Sequence, residues 1–157
     1  MDIEPLMATS RIINAVIVRS MASVDADLTV PQLRVLVVLA AHDGTSMSGV
    51  AEELGVNPSN ASRTCEQLVQ RGLVNRRAVS GDRRRVALTL AAPGRGLLER
   101  VMEHRRRLLE DVLARMAPQD QRAVVTAAAR FNAAAQKLSQ SDAGDLEGSS
   151  ALAPWLG

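Results

Sequence analysis

Aromatic side chains are almost absent from this sequence of 157 residues. Phe131 and Trp155 are its only two, and there is no tyrosine. Proteins that grip single-stranded nucleic acids usually stack the bases on several aromatic rings. The shortage therefore argues against RNA-recognition and single-strand-binding folds.

Cysteine and histidine are also scarce. One cysteine, Cys65, excludes an internal disulfide and a cysteine-rich zinc site. His42 and His104 lie far apart and lack the spacing of metal ligands. No Ser-His-Asp or Cys-His set, glycine-rich phosphate loop or converging pair of carboxylates is recognisable. We therefore predict no metal, no other cofactor and no enzymatic activity.

Membrane and export signals are missing as well. The sequence has no apolar run of about 20 residues, the length that spans a bilayer. Residues 1–5 are acidic and lack the basic-then-apolar order of a signal peptide. Hydrophobic residues make up 46% of the chain, which argues against general disorder. We expect a cytoplasmic protein with no membrane partner.

Charge is distributed unevenly along the chain. The net charge is only +2, but the segment from Val56 to Arg107 holds twelve arginines and four acidic residues. That segment therefore carries +8, and the rest of the chain carries −6. A basic segment inside an acidic chain suits a phosphate backbone. The alternative is a solvated arginine-rich surface, since Lys137 is the only lysine.

Apolar periodicity predicts mostly helices. A first helix covers roughly residues 5–22, and a capping box of Thr29 and Gln32 starts a second that runs to about residue 41. Ser46 half-caps a short helix over residues 47–54, and a left-handed Gly55 ends it. Pro58 opens a fourth helix that runs to about residue 71. Two helices joined by so tight a turn indicate a helix-turn-helix.

The pattern then changes to period two. Val86, Leu88 and Leu90 alternate with polar or small residues, which predicts a strand paired with residues 73–79 across a turn at 80–82. Pro93 and Gly94 mark the next boundary, before a long helix over residues 95–116 and a last helix from residue 118. Residues after 140 are rich in Ser, Gly, Ala and Asp and are predicted to be disordered.

Five stretches match a known family in order and spacing: residues 28–36, 50–56, 58–63, 68–74 and 81–88. The most specific is the Asp-Arg-Arg-Arg-Val run at 82–86, which follows an Arg-Gly-Leu-Val run at 71–74. Over roughly residues 5–140 the chain resembles the MarR family of dimeric transcription regulators. It departs from the family at Ala91, where a threonine usually caps the next helix.

The resemblance implies a mainly α fold with a small β-hairpin wing, a winged helix-turn-helix with N- and C-terminal dimerisation helices. The implied parts are a dimerisation helix (1–27), a DNA-binding domain (28–92), dimerisation helices (93–140) and a tail (141–157). The family often binds small, frequently aromatic or anionic molecules between its dimerisation helices and its DNA-binding lobe.

The implied function is sequence-specific binding of double-stranded DNA, as a homodimer on a pseudo-palindromic operator. A ligand-responsive repressor is the first expectation, and activation stays open. The alternative function is a winged-helix protein-interaction module or antirepressor that docks on an acidic partner, for which the same arginines would serve.

Candidate DNA contacts on the fourth helix follow from its two faces. Ala61, Cys65, Leu68 and Val69 form the packing face. Because helix-turn-helix proteins read DNA with the first turns of this helix, the predicted contacts are Ser59, Asn60, Ser62 and Arg63. Further along the outward face, we expect ordinary solvated side chains at Glu66, Gln67 and Gln70.

The hairpin supplies the second set of candidates. Three adjacent arginines repel one another and would be a poor choice for stability alone, whereas a narrow minor groove attracts inserted arginine. The predicted contacts at the tip are Asp82, Arg83, Arg84 and Arg85, and the resemblance assigns Asp82 the task of holding Arg84. Arg76 and Arg77 are predicted to touch phosphates, which position the protein without specifying sequence.

A further hypothesis is that Cys65 is a redox sensor on the fourth helix. Its place between Ala61 and Leu68 puts it on the packing face, where a thiol is a small hydrophobe with a raised pKa. We therefore predict a structural role for Cys65.

Overall fold

The computed structural model describes the backbone of residues 1–79 and 82–142, and the side chains in those ranges except at positions 79, 82–85 and 138–142. Within these ranges lie six helices and three strands: α1 (Glu4–Ala22), α2 (Val30–Ala41), β1 (Thr45–Ser46), α3 (Met47–Leu54), α4 (Pro58–Gln70), β2 (Val74–Val79), β3 (Asp82–Leu90), α5 (Ala92–Leu113) and α6 (Pro118–Asp142). The predicted fold class, mainly α with a small β-hairpin wing, is confirmed.

The helix starts follow local capping chemistry. The Thr29 hydroxyl accepts from the Gln32 amide, and the Gln32 side chain accepts from the Thr29 amide, which completes the predicted capping box. Ser46 accepts from the Gly49 amide at 3.1 Å with no return partner, as expected for a half-made cap. These local bonds fix where α2 and α3 begin.

The hydrophobic core is built around α2. Fully buried residues come from every element between α2 and α5 except β1, among them Leu33, Val50, Leu68, Leu88 and Val101. The core cluster also takes in Met21 at the end of α1. Burial of this kind is the main stabilising term in folding. Because α2 packs against α3, α4, β3 and α5, it holds the helix-turn-helix and the hairpin together.

The sheet has one strand that periodicity did not predict. Its order is β1-β3-β2, all antiparallel, and the two-residue β1 pairs Thr45 with Leu88 and Ser46 with Ala87. Two residues are too few to show an alternating pattern. The prediction also placed Asp82 in the turn, whereas Asp82 pairs with Val79 as the first residue of β3, after a shift of register next to Ala78.

The predicted limits of the long helix were wrong by three residues at each end. The α5 helix covers Ala92–Leu113 and takes in Pro93 and Gly94, which the prediction had treated as a boundary. Proline is tolerated in the first turn because no helical partner exists there for its missing N–H. Ala91, the position of the family departure, is the N-cap residue and makes no side-chain capping bond.

Gly94 is required for packing. A β-carbon added to it would lie 2.1 Å from the carbonyl oxygen of Leu73, far inside any real contact. That oxygen also accepts the amide of Ala91 at 3.0 Å. The start of α5 is thereby held against the base of the hairpin.

The last helix begins at Pro118 as predicted but runs to Asp142, so the first two residues of the predicted disordered tail are helical. Residues 143–157 of that tail lie outside the described residues. Over the part of the chain that is described, no helix is both long enough and apolar enough to span a bilayer. The division into dimerisation and DNA-binding parts stays a prediction.

Candidate nucleic-acid interface

The turn between α3 and α4 is fixed by three separate features. Gly55 adopts φ +61°, the left-handed conformation predicted for it. The Asn57 side chain accepts the Ser59 amide at 2.9 Å and caps α4. From α2, the Arg34 guanidinium donates to the Leu54 carbonyl at 2.9 Å and satisfies the end of α3. These bonds hold α3 and α4 in a fixed relation, as a helix-turn-helix requires.

The two faces of α4 are divided as predicted. Ala61, Cys65 and Leu68 are buried, and Val69 is partly buried. On the opposite face Ser59, Asn60 and Arg63 are exposed, and Ser62 is partly exposed. The first turns of α4 thus present one hydroxyl, one amide and one guanidinium to solvent, a set that can bond to base edges or phosphates.

A polar cluster at the other end of α4 ties that helix to the beginning of α2. Gln32 is buried, its Nε2 donates to Gln67 at 3.3 Å, and its Oε1 accepts from Arg71 at 3.2 Å. Arg71 also forms an ion pair with Asp25 in the α1–α2 loop. The cluster therefore fixes the position of α4 relative to α2 and to the end of α1.

Arg76 and Arg77, which were both predicted to touch phosphates, lie on opposite faces of the hairpin. Neighbouring residues of a strand point to opposite faces of the sheet. Arg76 is opposite the buried Leu88 and so lies on the face turned toward the helices, whereas Arg77 is opposite Ala87 on the other face. The guanidinium of Arg76 lies next to α4, 3.6 Å from the Glu66 carboxylate.

Glu66 makes two polar contacts that the sequence did not predict. Its Oε1 accepts from the Ser62 hydroxyl at 3.2 Å and also pairs with Arg76. Glu66 and Gln67 are exposed, as expected, but each also has a polar partner on another element, since Glu66 pairs with Arg76 and Gln67 bonds to Gln32. The contacts to Arg76 and Gln32 were not predicted because these partners lie on β2 and α2, far from α4 in the sequence. A lone acid among arginines was the available signal for Glu66.

The predicted contacts at the wing tip lie in β3. Asp82, Arg83, Arg84 and Arg85 form its first residues, but their side chains lie outside the described residues. The assignment of Asp82 as the residue that holds Arg84 stays a prediction, as does minor-groove insertion.

Cys65 lies on the buried face of α4 with no exposed surface, so the predicted burial is confirmed. Desolvation raises the pKa of its thiol to about 11, against a smaller lowering by Arg76 and a small further rise from Glu66. At neutral pH the thiol is protonated, and a protonated buried thiol is a poor nucleophile. In the described ranges, no three His, Cys, Asp or Glu side chains are grouped to hold a metal ion.

Comparison with known proteins identifies the family of these elements. A family model described as "MarR family" matches residues 26–85. An uncharacterised HTH-type transcriptional regulator of Bacillus subtilis, YwhA, is 25% identical over 97 residues, which cover 62% of this chain and 70% of that protein.

Solved structures extend the similarity beyond the matched domain. RV1404 from Mycobacterium tuberculosis is 34% identical, with a TM-score of 0.78 over 83% of this chain and 90% of that one. FabT from Streptococcus pneumoniae, solved in complex with DNA, has a TM-score of 0.69 at 18% identity, over 87% of this chain and 99% of that one, and so shares the fold.

Proposed function

The chain belongs to the MarR family of DNA-binding transcription regulators and is not an enzyme, and from that premise we propose that it is a homodimeric repressor. Its operator is a pseudo-palindrome, and a small-molecule inducer lowers its affinity for that operator. The observation that carries the proposal is the exposed first half of α4, on a helix whose Glu66 lies 3.6 Å from Arg76 of an arginine-rich hairpin.

Base reading is assigned to the start of α4. Asn60 can bond to adenine and Arg63 to guanine in a major groove, and Ser59 and Ser62 can reach bases or phosphates. The opposite face of the helix is buried, so only this face is free to enter a groove.

The hairpin is assigned to the phosphate backbone and the minor groove. Arg77 lies on the outer face of β2 and suits a phosphate contact, which positions the protein without reading sequence. The residues at the tip, from Asp82 to Arg85, are proposed for the adjacent minor groove, whose negative potential attracts arginine.

Dimerisation is assigned to the terminal helices because one chain leaves them uncovered. The α6 helix makes few contacts with the other described elements, yet it carries exposed apolar side chains at Val124, Val125 and Phe131. Part of α1 is apolar and exposed in the same way. A second copy would cover these surfaces, and a two-fold dimer would match a pseudo-palindromic site.

The proposal of an inducer is based on the family resemblance, since small molecules often bind between the dimerisation helices and the DNA-binding lobe in that family. The proposal of repression rather than activation has the same basis. Both are tested by transcription from a promoter that carries the selected operator, with and without added candidate ligands.

The experiment that tests the proposal selects duplexes from a random pool and then compares variants on the selected duplex and on a random one. Asn60→Ala and Arg63→Ala should each weaken binding to the selected duplex by about 1–3 kcal/mol, with a smaller loss on the random duplex. Gln70→Ala is the matched control, since Gln70 is exposed on the last turn of the same helix. It should change neither affinity by more than about twofold.

Two results would contradict the assignment. Equal losses on every duplex would reduce Asn60 and Arg63 to phosphate contacts. Failure to bind or select any duplex at low salt would instead favour the alternative of an acidic protein partner.

A further inference from the structure

Glu66 is the only acidic residue between Val56 and Gly81. It lies on the exposed face of α4, where one carboxylate oxygen accepts from the Ser62 hydroxyl at 3.2 Å and lies 3.6 Å from Nη2 of Arg76. A negative charge is thus placed among the groups assigned to DNA, joined to one of the arginines.

The ion pair with Arg76 is unsuited to a stabilising role. The side chains are 55% exposed for Glu66 and 44% exposed for Arg76, and exposed pairs contribute little to stability. For the same reason the pair is easily broken when another anion approaches. A DNA phosphate is such an anion, and Arg76 lies on the face of the hairpin turned toward α4.

A paired arginine contributes less to DNA binding than a free one. Affinity for any duplex comes largely from cations that neutralise phosphates and release counterions. When Arg76 exchanges the Glu66 carboxylate for a phosphate, the carboxylate is left unpaired close to the anionic duplex. The gain from the phosphate contact is therefore reduced by the loss of the pair and by repulsion.

We propose that Glu66 sets the sequence-independent part of DNA affinity by holding Arg76 as an internal counterion in competition with a backbone phosphate. This inference rests on the proposed placement of α4 in the major groove. A regulator that has to leave its operator needs a limited phosphate affinity, and Glu66 supplies that limit at the edge of the reading surface.

Glu66→Gln tests the proposal with little change in shape, because the amide oxygen still accepts from Ser62 while the charge is removed. Affinity should rise on both the selected and a random duplex. The plot of log affinity against log salt should steepen by up to about 0.9, the value of one phosphate contact that forms fully only when the competing charge is removed. Between 50 and 200 mM salt this is an additional loss of up to about threefold to fourfold.

The matched control is Glu99→Gln, which makes the same change in net charge at an exposed position of α5. It should leave the salt slope unchanged. A second test repeats Glu66→Gln in an Arg76→Ala background, where the increase in affinity and slope should disappear because the competing cation is gone.

Two outcomes would overturn the proposal. One is an equal effect of Glu66→Gln and Glu99→Gln. The other is an undiminished effect of Glu66→Gln without Arg76, which would mean that Glu66 acts directly on DNA. Wild-type protein on the same duplexes separates these results from failure of the proposed function, since no binding by the wild type would remove that function itself.

Discussion

The winged domain and the terminal helices differ in how one chain buries their apolar residues. Residues of α2, α4, β3 and α5 close around a core in which Leu36 and Leu68 have no exposed surface. In contrast, Leu6 of α1 is 54% exposed and Phe131 of α6 is 60% exposed. The same kind of side chain is thus buried inside the chain in one region and left exposed by the chain in the other.

The stability of the two regions should therefore depend on different variables. The winged domain relies on contacts within a single chain, so its stability should not depend on protein concentration. Long helices without tertiary packing are marginal in water. The terminal helices should therefore gain their stability from association, which depends on concentration.

The largest expected effect separates a core leucine from a terminal one. Leu36→Ala should lower the free energy of unfolding by roughly 2–5 kcal/mol at any protein concentration, because it removes buried apolar surface and leaves a cavity. Leu6→Ala should cost less than about 0.5 kcal/mol in dilute protein and more in concentrated protein. Urea unfolding at two concentrations checks both, and concentration-independent behaviour of Leu6→Ala would contradict the comparison.

A packing contact inside the winged domain, between α5 and the base of the hairpin, should respond next. Gly94→Ala places a methyl group against the Leu73 carbonyl and should destabilise the protein by about 1–3 kcal/mol. Gly96→Ala is the control, since its new β-carbon would meet only the end of the Arg100 side chain at 3.5 Å. Replacing glycine by alanine within a helix should stabilise by up to about 1 kcal/mol there. Thermal unfolding of both variants tests whether this contact joins α5 to the hairpin.

An effect confined to alkaline pH concerns the Cys65 thiol on the buried face of α4. Burial raises the pKa of Cys65 from 9.0 to about 11, so above pH 9 the unfolded chain loses this proton first. The protein should therefore lose stability as pH rises from 9 to 11, by roughly 2–3 kcal/mol at the limit. Few other side chains titrate between pH 9 and 11, because the chain has no tyrosine and only one lysine, Lys137.

Cys65→Ala is the matched variant for the pH experiment. It should unfold with a shallower dependence on pH between 9 and 11, although it is less stable at neutral pH. An identical slope in both proteins would mean that the thiol is not buried in solution.

Local signals were sufficient to predict several features of the fold. The capping box of Thr29 and Gln32, the left-handed Gly55 and the buried face of α4 each depend on neighbours within a few residues. Periodicity could not predict β1, which is too short to show a pattern, or the first turn of α5, where Pro93 and Gly94 were interpreted as a break.

The polar contacts of the site could not be predicted for a different reason. Gln67 bonds to Gln32 across 35 positions, and Arg71 pairs with Asp25 across 46. Such partners are brought together by the tertiary fold and leave no spacing in the sequence. Likewise, alternation separates the faces of Arg76 and Arg77, but only the fold shows which face meets α4.

Sedimentation of the full chain, alone and with a selected duplex, tests whether the protein binds its operator as a homodimer. We expect a species of twice the 16.8 kDa chain mass at micromolar concentration, and two chains on each pseudo-palindromic duplex. A half-site duplex should bind much more weakly. A monomer in free solution that binds one to one, equally well to the half-site and the full site, would contradict the account.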